Sequence, residues 1–316
     1  MPDRQANMPA VGSEPFGILS IDKPPGITSH DVVNRLRRRL STRRIGHTGT
    51  LDPMATGVLV CCVGAATRLA EYIGAGDKVY EAEIALGMTT STLDVTGEQR
   101  TCADASGLEF SDIERALASL TGDLAQIPPM HAAVRVGGVR LYELARRGET
   151  VERSARAVTI HELTLRSYRP GRQALIEVTV RCSAGTYIRS LADDLGERLG
   201  VGGCLAALRR TRVGAFRLAD AYPHDGPLPL MRPEDALASW PLGRVDPIVA
   251  DDLRMGRAVG GSAIEWIRPP NRTSEPVLLI GHELLAVVMP EGDRFRPHKV
   301  LHAPPMEPAP ETRPCG

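Results

Sequence analysis

The stretch GHTGTLDPMATGVLVCCVG, residues 46–64, changes character halfway along. Its first half holds glycines at 46, 49 and 57 and a proline at 53, the composition of a loop. Its second half, VLVCCVG, is an unbroken run of small and branched apolar residues, which reads as a buried strand. Inside the loop half, Asp52 stands between Leu51 and Pro53. A residue that precedes proline is kept out of the helical region, so the Asp52 carboxylate leaves the chain in a set direction. The glycines let a ligand approach the backbone closely. A carboxylate so placed can act as a nucleophile. An Asp-Pro pair is also a common plain turn, and local chemistry leaves both readings open.

Upstream, FGILSIDKPPG predicts a strand over Phe16 to Ile21 that runs into a Pro-Pro-Gly turn. Thr28 and Asp31 form a T-x-x-D helix start. Val32, Val33, Leu36 and Leu40 then give one apolar face, and the arginines take the other. Downstream, ATRLAEYI reads as a short helix and KVYEAEIALG as a strand. Residues 110–121 read as a helix with Ile113, Leu117 and Leu120 on one side. The segment 127–148 begins irregular and ends helical at Tyr142 to Arg147. Residues 156–168 and 174–182 read as strands, and GTYIRSLADDLGERLG as a helix that a glycine ends.

Past residue 222 the chain becomes Pro-rich, and short apolar runs such as PVLLIG and LLAVVMP then predict a small β-rich module. The expected organisation is a disordered tail over 1–14 and a catalytic domain over 15–240. A β-rich domain over 245–303 and a Pro-rich disordered tail over 304–316 complete it.

Composition narrows the function classes. Hydrophobic residues make up 42% and charged residues 24% of the 316, ordinary for a globular protein. No apolar run is long enough to span a membrane, and the N-terminus lacks a signal-peptide core, so a cytoplasmic location is expected. Cys61, Cys62, Cys102, Cys182, Cys204 and Cys315 form no C-x-x-C pair, so neither a zinc site nor a disulfide framework is expected. The formal net charge is zero, so overall balance does not argue for nucleic acid. The basic residues are nonetheless clustered, at Arg35, Arg37, Arg38, Arg39, Arg43 and Arg44, at Arg146 and Arg147, and at Arg209, Arg210 and Arg212. Such patches can bind phosphate or simply be solvated helix faces. Only Lys23, Lys78 and Lys299 are lysines, and a chain this biased to arginine keeps lysine where a compact ammonium matters.

GHTGTLDPMATGVL resembles the catalytic motif of the TruB family of pseudouridine synthases. FGILSIDKPPGITSHDVV, KVYEAEIALG with TTSTLDVTGE, CSAGTYIRSLADDLGERLG and LRRTRVG resemble four further motifs of that family, in the family's order across residues 16–214. The resemblance implies an α+β fold: a pseudouridine synthase domain on a mixed, largely antiparallel sheet with flanking helices, and a PUA-like β-rich module that matches only loosely. It implies isomerisation of uridine to pseudouridine at position 55 of the TΨC loop of tRNA, with no cofactor and no metal. By the same resemblance Asp52 is the nucleophile, Tyr80 stacks on the base and helps remove the C5 proton, and Arg189 pairs with the aspartate. Tyr187 and Leu208 contact the base, His47 helps extrude it, Asp94 is a substrate contact and Lys23 scaffolds the site.

Residues 124–152 resemble an RNA-covering thumb, and Ala132, Ala133 and Arg135 stand where the family commonly has Ser-Ala-x-Lys. Arg135, Arg140, Arg146, Arg147, Arg209 and Arg210 are the expected contacts to the RNA backbone. The expected partner is tRNA, through its TΨC arm and with the acceptor stem as a second contact, without a membrane or an obligate protein partner. Two rival readings are a guide-dependent synthase of the related dyskerin class and a tRNA-folding chaperone. The thumb-like segment favours a stand-alone enzyme over the first, and the intact set of Asp52, Tyr80 and Arg189 argues against the second.

Overall fold

A computed structural model of the chain describes residues 14–132, 134–149, 151–272 and 274–303. The segments expected to be tails therefore lie outside the described residues except for residue 14, as do Ala133 and Cys315. The larger sheet is built from β1 (Gly17–Lys23), β2 (Ile45–His47), β3 (Thr56–Val63), β4 (Lys78–Leu86), β5 (Gly122–Gln126), β6 (Arg156–Arg169), β7 (Ala174–Cys182) and β8 (Gly203–Val213). Its main path runs β1-β3-β8-β4-β7-β6-β5, with β2 on β3 and the short strand Tyr222–Pro223 outside β1. Among the described strands of this sheet, β3 with β8 and β1 with Tyr222–Pro223 pair parallel and the other neighbours antiparallel.

Strand β3 shows why the sheet is buried on both faces. Leu59, Cys61 and Val63 join one core, and Val58, Val60 and Cys62 join another, as a period of two requires. Three helices cover the first face: α1 (Ser29–Arg39), α2 (Phe110–Ser119) and α4 (Ile188–Arg198). Helix α1 begins at the predicted capping box, where the Thr28 hydroxyl accepts from the Asp31 backbone N–H and the Asp31 carboxylate accepts from Thr28. Such a cap is worth about 1 kcal/mol. Val32, Val33 and Leu36 bury; Leu40 ends the helix as a half-buried cap.

Between β5 and β6 the chain makes a small excursion. A two-stranded hairpin, Arg135–Val136 with Val139–Arg140, leads into α3 (Leu141–Arg146). Ala132, Leu141 and Leu144 form a minor core there, against which Met130 and Tyr187 pack. The sequence reading took this segment as irregular before its helix; Gly137 and Gly138, both at positive φ, supply the tight turn of the hairpin.

The second face of the large sheet meets the C-terminal region. There β9 (Leu242–Arg244), β10 (Glu265–Arg268), β11 (Val277–Gly281), β12 (Leu284–Glu291) and β13 (Arg294–His302) form a second sheet with the short strand Val259–Gly260. This sheet begins three residues before the expected boundary at 245, and it carries a helix, α5 (Pro247–Arg254), capped by Asp246. Leu278, Leu285, Val287 and Leu301 share a core with Ile18, Val58 and Val60 of the large sheet.

Candidate active site

Asp52 lies in the loop between β2 and β3, and each side of that loop is fastened. Before it, Leu51 donates its N–H to the Ser29 hydroxyl at 2.8 Å, and Ser29 donates back to the Leu51 carbonyl at 3.0 Å. After it, the Pro53 carbonyl accepts from the Gly26 N–H and from the Lys23 ammonium. The Lys23 ammonium also donates to the Pro24 and Ile27 carbonyls and is fully buried. Burial pulls its pKa down to about 8, with Asp52 opposing. Three carbonyls thus converge on one compact ammonium.

Arg189 is the second residue of α4 and is held from several sides. Its Nε meets Asp52 Oδ2 at 2.9 Å and its Nη2 meets Asp52 Oδ1 at 3.1 Å, a two-point pair. It also donates to the Thr92 and His131 carbonyls, and Asp94 lies 3.7 Å away. The two partners differ in access. The Arg189 side chain is 6% exposed and that of Asp52 32%, so the carboxylate is the member of the pair that a substrate can reach. Burial raises the Asp52 pKa, with Arg189 the first of the opposing influences.

Asp94 is buried and ties its own turn, accepting from the Thr92 and Thr96 hydroxyls and the Thr96 N–H. It supports Arg189 from behind rather than facing solvent.

Tyr80 on β4 and Leu208 on β8 lie in the core beneath this pair, and burial raises the Tyr80 pKa. Tyr187 precedes α4. Gln126 clamps its backbone through both amide atoms, and its ring packs on the minor core of the excursion. His47 ends β2, half-buried, and burial followed by the nearby Arg210 charge lowers its pKa. Its Nδ1 is buried without a hydrogen-bond partner among the described residues.

The expected RNA-backbone arginines separate. Arg147 is exposed. Arg209 is half-buried and pairs with Asp22 at 2.9 Å while donating to the Thr56 hydroxyl. The side chains of Arg135, Arg140 and Arg146 lie outside the described residues. Arg210 corrects the sequence reading. It is 2% exposed, and its guanidinium donates to the Val58 and Gly49 carbonyls, so it is committed inside the protein and does not meet a phosphate. Strand alternation is the reason, since Arg209 and Arg210 point to opposite faces of β8. Ser29, Gln126 and Thr92, all fixing the site, were not singled out from sequence; their roles depend on partners 22, 61 and 97 residues away.

Residues 37–188 match the family model described as the TruB family pseudouridylate synthase N-terminal domain. Residues 189–225 match that of the tRNA pseudouridylate synthase B C-terminal domain. The chain is 51% identical over 235 residues to the tRNA pseudouridine synthase B of Symbiobacterium thermophilum, covering 73% of this chain and 79% of that one. It is 44% identical over 305 residues to the enzyme of the same name from Moorella thermoacetica, covering 90% and 99%. Among solved structures, one of a Cbf5-Nop10-Gar1 complex superposes with a TM-score of 0.66 at 24% identity, over 96% of this chain and 95% of that one. One of an H/ACA RNP bound to a substrate RNA containing 2'-deoxyuridine gives 0.66 at 23% identity, over 92% and 86%. At that identity the structures attest a shared fold.

Proposed function

The chain belongs to the TruB family of pseudouridylate synthases, and on that premise we propose that it isomerises uridine to pseudouridine in tRNA, at position 55 of the TΨC loop, with Asp52 as nucleophile. The observation that carries this reading is the two-point pair between Asp52 and Arg189, in which the carboxylate alone keeps substantial exposure. A nucleophile must be reachable, aimed and free of competing donors on its attacking side. Arg189, itself locked by the Thr92 and His131 carbonyls, does the aiming.

The reaction breaks the N1–C1′ bond and joins C1′ to C5, so it is redox-neutral and transfers no phosphate. A uridine in a folded loop must leave its stack to reach Asp52. Tyr80 offers a flat face for the flipped base, and stacking of this kind is worth about 1–3 kcal/mol. Tyr187 and Leu208 line the approach, and His47, whose pKa burial lowers, stands at the end of β2 where a base would be displaced. Asp94 is a second carboxylate beside Arg189, 3.7 Å away. Exposed Arg147 and part-exposed Arg209 are the described candidates for phosphate contacts, together with the excursion between β5 and β6 as a thumb. Residues 15–240 form the catalytic domain in this scheme, and the C-terminal sheet is a PUA-like module for the acceptor stem.

The test is to incubate purified protein with a tRNA transcript, free of guide RNA and other proteins, and map pseudouridine. Product at position 55 alone is expected. Product elsewhere sinks the assignment to position 55, and none without added guide RNA sinks the stand-alone reading.

A further inference from the structure

Arg210 takes no part in the chemistry above, yet it occupies the centre of the structure beneath it. In the sheet it lies opposite Gly57 of β3 on one side and opposite Tyr80 of β4 on the other. Directly opposed residues of an antiparallel pair place their side chains on the same face as near neighbours, so the Arg210 charge acts on the Tyr80 phenol. Its Nε donates to the Val58 carbonyl at 2.7 Å and its Nη2 to the Gly49 carbonyl at 3.0 Å. One planar group thus meets the loop that carries Asp52 and the strand that follows that loop, from a residue paired with Tyr80 in the next strand.

A cation this deeply buried is costly to keep, and no carboxylate among the described residues pairs with it, in contrast to Arg209 and Asp22. Dry packing alone would favour an apolar side chain at this place. Strands β3 and β8 also run unusually close at this position. Gly57 has φ +99°, and a Cβ there would collide with the Arg210 carbonyl oxygen, so β3 and β8 approach each other as only glycine allows.

We propose that Arg210 is a positioning residue for the isomerisation: its guanidinium fastens the Asp52 loop to the strand bearing Tyr80 and sets the width of the slot between carboxylate and ring into which the flipped base fits. This inference rests on the reading of Asp52 and Tyr80 given under Proposed function. A fork with donors at fixed angles holds the Val58 and Gly49 carbonyls in one fixed geometry, whereas a lysine ammonium, a point charge on a flexible stem, does not fix the angle between them.

The experiment uses the full chain with Arg210→Lys and Arg210→Gln, alone and in a Tyr80→Phe background. Melting temperature, tRNA affinity and single-turnover rate at saturating protein are measured for each. Arg210→Lys is expected to bind tRNA within about threefold of the parent and to turn over about 10²-fold more slowly, the scale of a misplacement near 1 Å. The loss is expected to shrink when Tyr80 is already phenylalanine, because directly paired residues that shape the same slot are coupled. Arg210→Gln, which lacks the charge beside the phenol, is expected to shift the alkaline side of the rate profile upward as well. Parental turnover in Arg210→Lys overturns the proposal, and so does an equal loss in both backgrounds. Unfolding of both variants also overturns it, since the residue would then be holding the core rather than the slot. If the unaltered protein makes no pseudouridine, it is the functional reading that fails.

Discussion

The two sheets of this molecule are built alike and filled differently. Both are largely antiparallel and both bury continuous apolar cores. Yet every described side chain that is both polar or charged and buried lies between residues 23 and 210: Lys23, Lys78, Asp94, Arg189 and Arg210 carry the charges, and Ser29, Thr90, Gln126 and Ser190 the neutral groups. The C-terminal sheet has a dry core of Leu279, Leu284, Val288, Phe295 and their neighbours. Buried charge is weak evidence for stability and often lowers it. Its confinement to the larger sheet and the elements packed on it marks where the fold gives up dry packing to hold a reactive group in place.

The contrast can be broken most directly at Asp52. Asp52→Ala is expected to lower pseudouridine formation about 10⁴-fold or more while tRNA affinity stays within about tenfold; persistent product would remove the carboxylate from the chemistry. Arg189→Lys keeps the charge and loses the two-point geometry, so turnover is expected to fall about 10²-fold in a single-turnover assay. An unchanged rate would reduce Arg189 to a structural ion pair. In the dry sheet the expectation is reversed. Leu279→Ala should cost about 2–5 kcal/mol in denaturant unfolding with no change in rate per folded molecule, and a rate effect would show that the two sheets are not functionally separate.

The smallest effect concerns pH. Asp52 must be ionised to attack, and burial lifts its pKa. Turnover is therefore lost as pH falls through a value above the roughly 3.9 of an exposed aspartate. A rate profile still flat down to about pH 4 would contradict that.

Much of this was legible in the sequence, for identifiable reasons. The capping box at Thr28, the two-faced strand VLVCCV and the helix after Tyr187 follow from local rules, and the structure contains each. The central strand β8 was not read as a strand at all. Its core-facing residues are interrupted by Arg209, Arg210 and Arg212, so the run looks like a basic surface segment rather than the middle of a sheet. The same disguise put Arg210 among the phosphate contacts. Burial of an arginine depends on what lies opposite it, here Gly57 and Tyr80, and no local window contains those partners. The pairing of Asp52 with Arg189, 137 residues apart, was legible only through the ordered motifs and not through spacing.

The row Gly57–Arg210–Tyr80–Val180 crosses four adjacent strands that are far apart along the chain. During synthesis, β3 and β4 emerge early but have no neighbour between them until β8 is made. The strand that separates and joins them is the last of the four to leave the ribosome. Nothing resembling the assembled site can exist in a nascent chain shorter than about residue 213, so an incomplete product has the carboxylate without its fixed surroundings. A chain stopped before that strand is expected to carry Asp52 with β3 and β4 left unjoined.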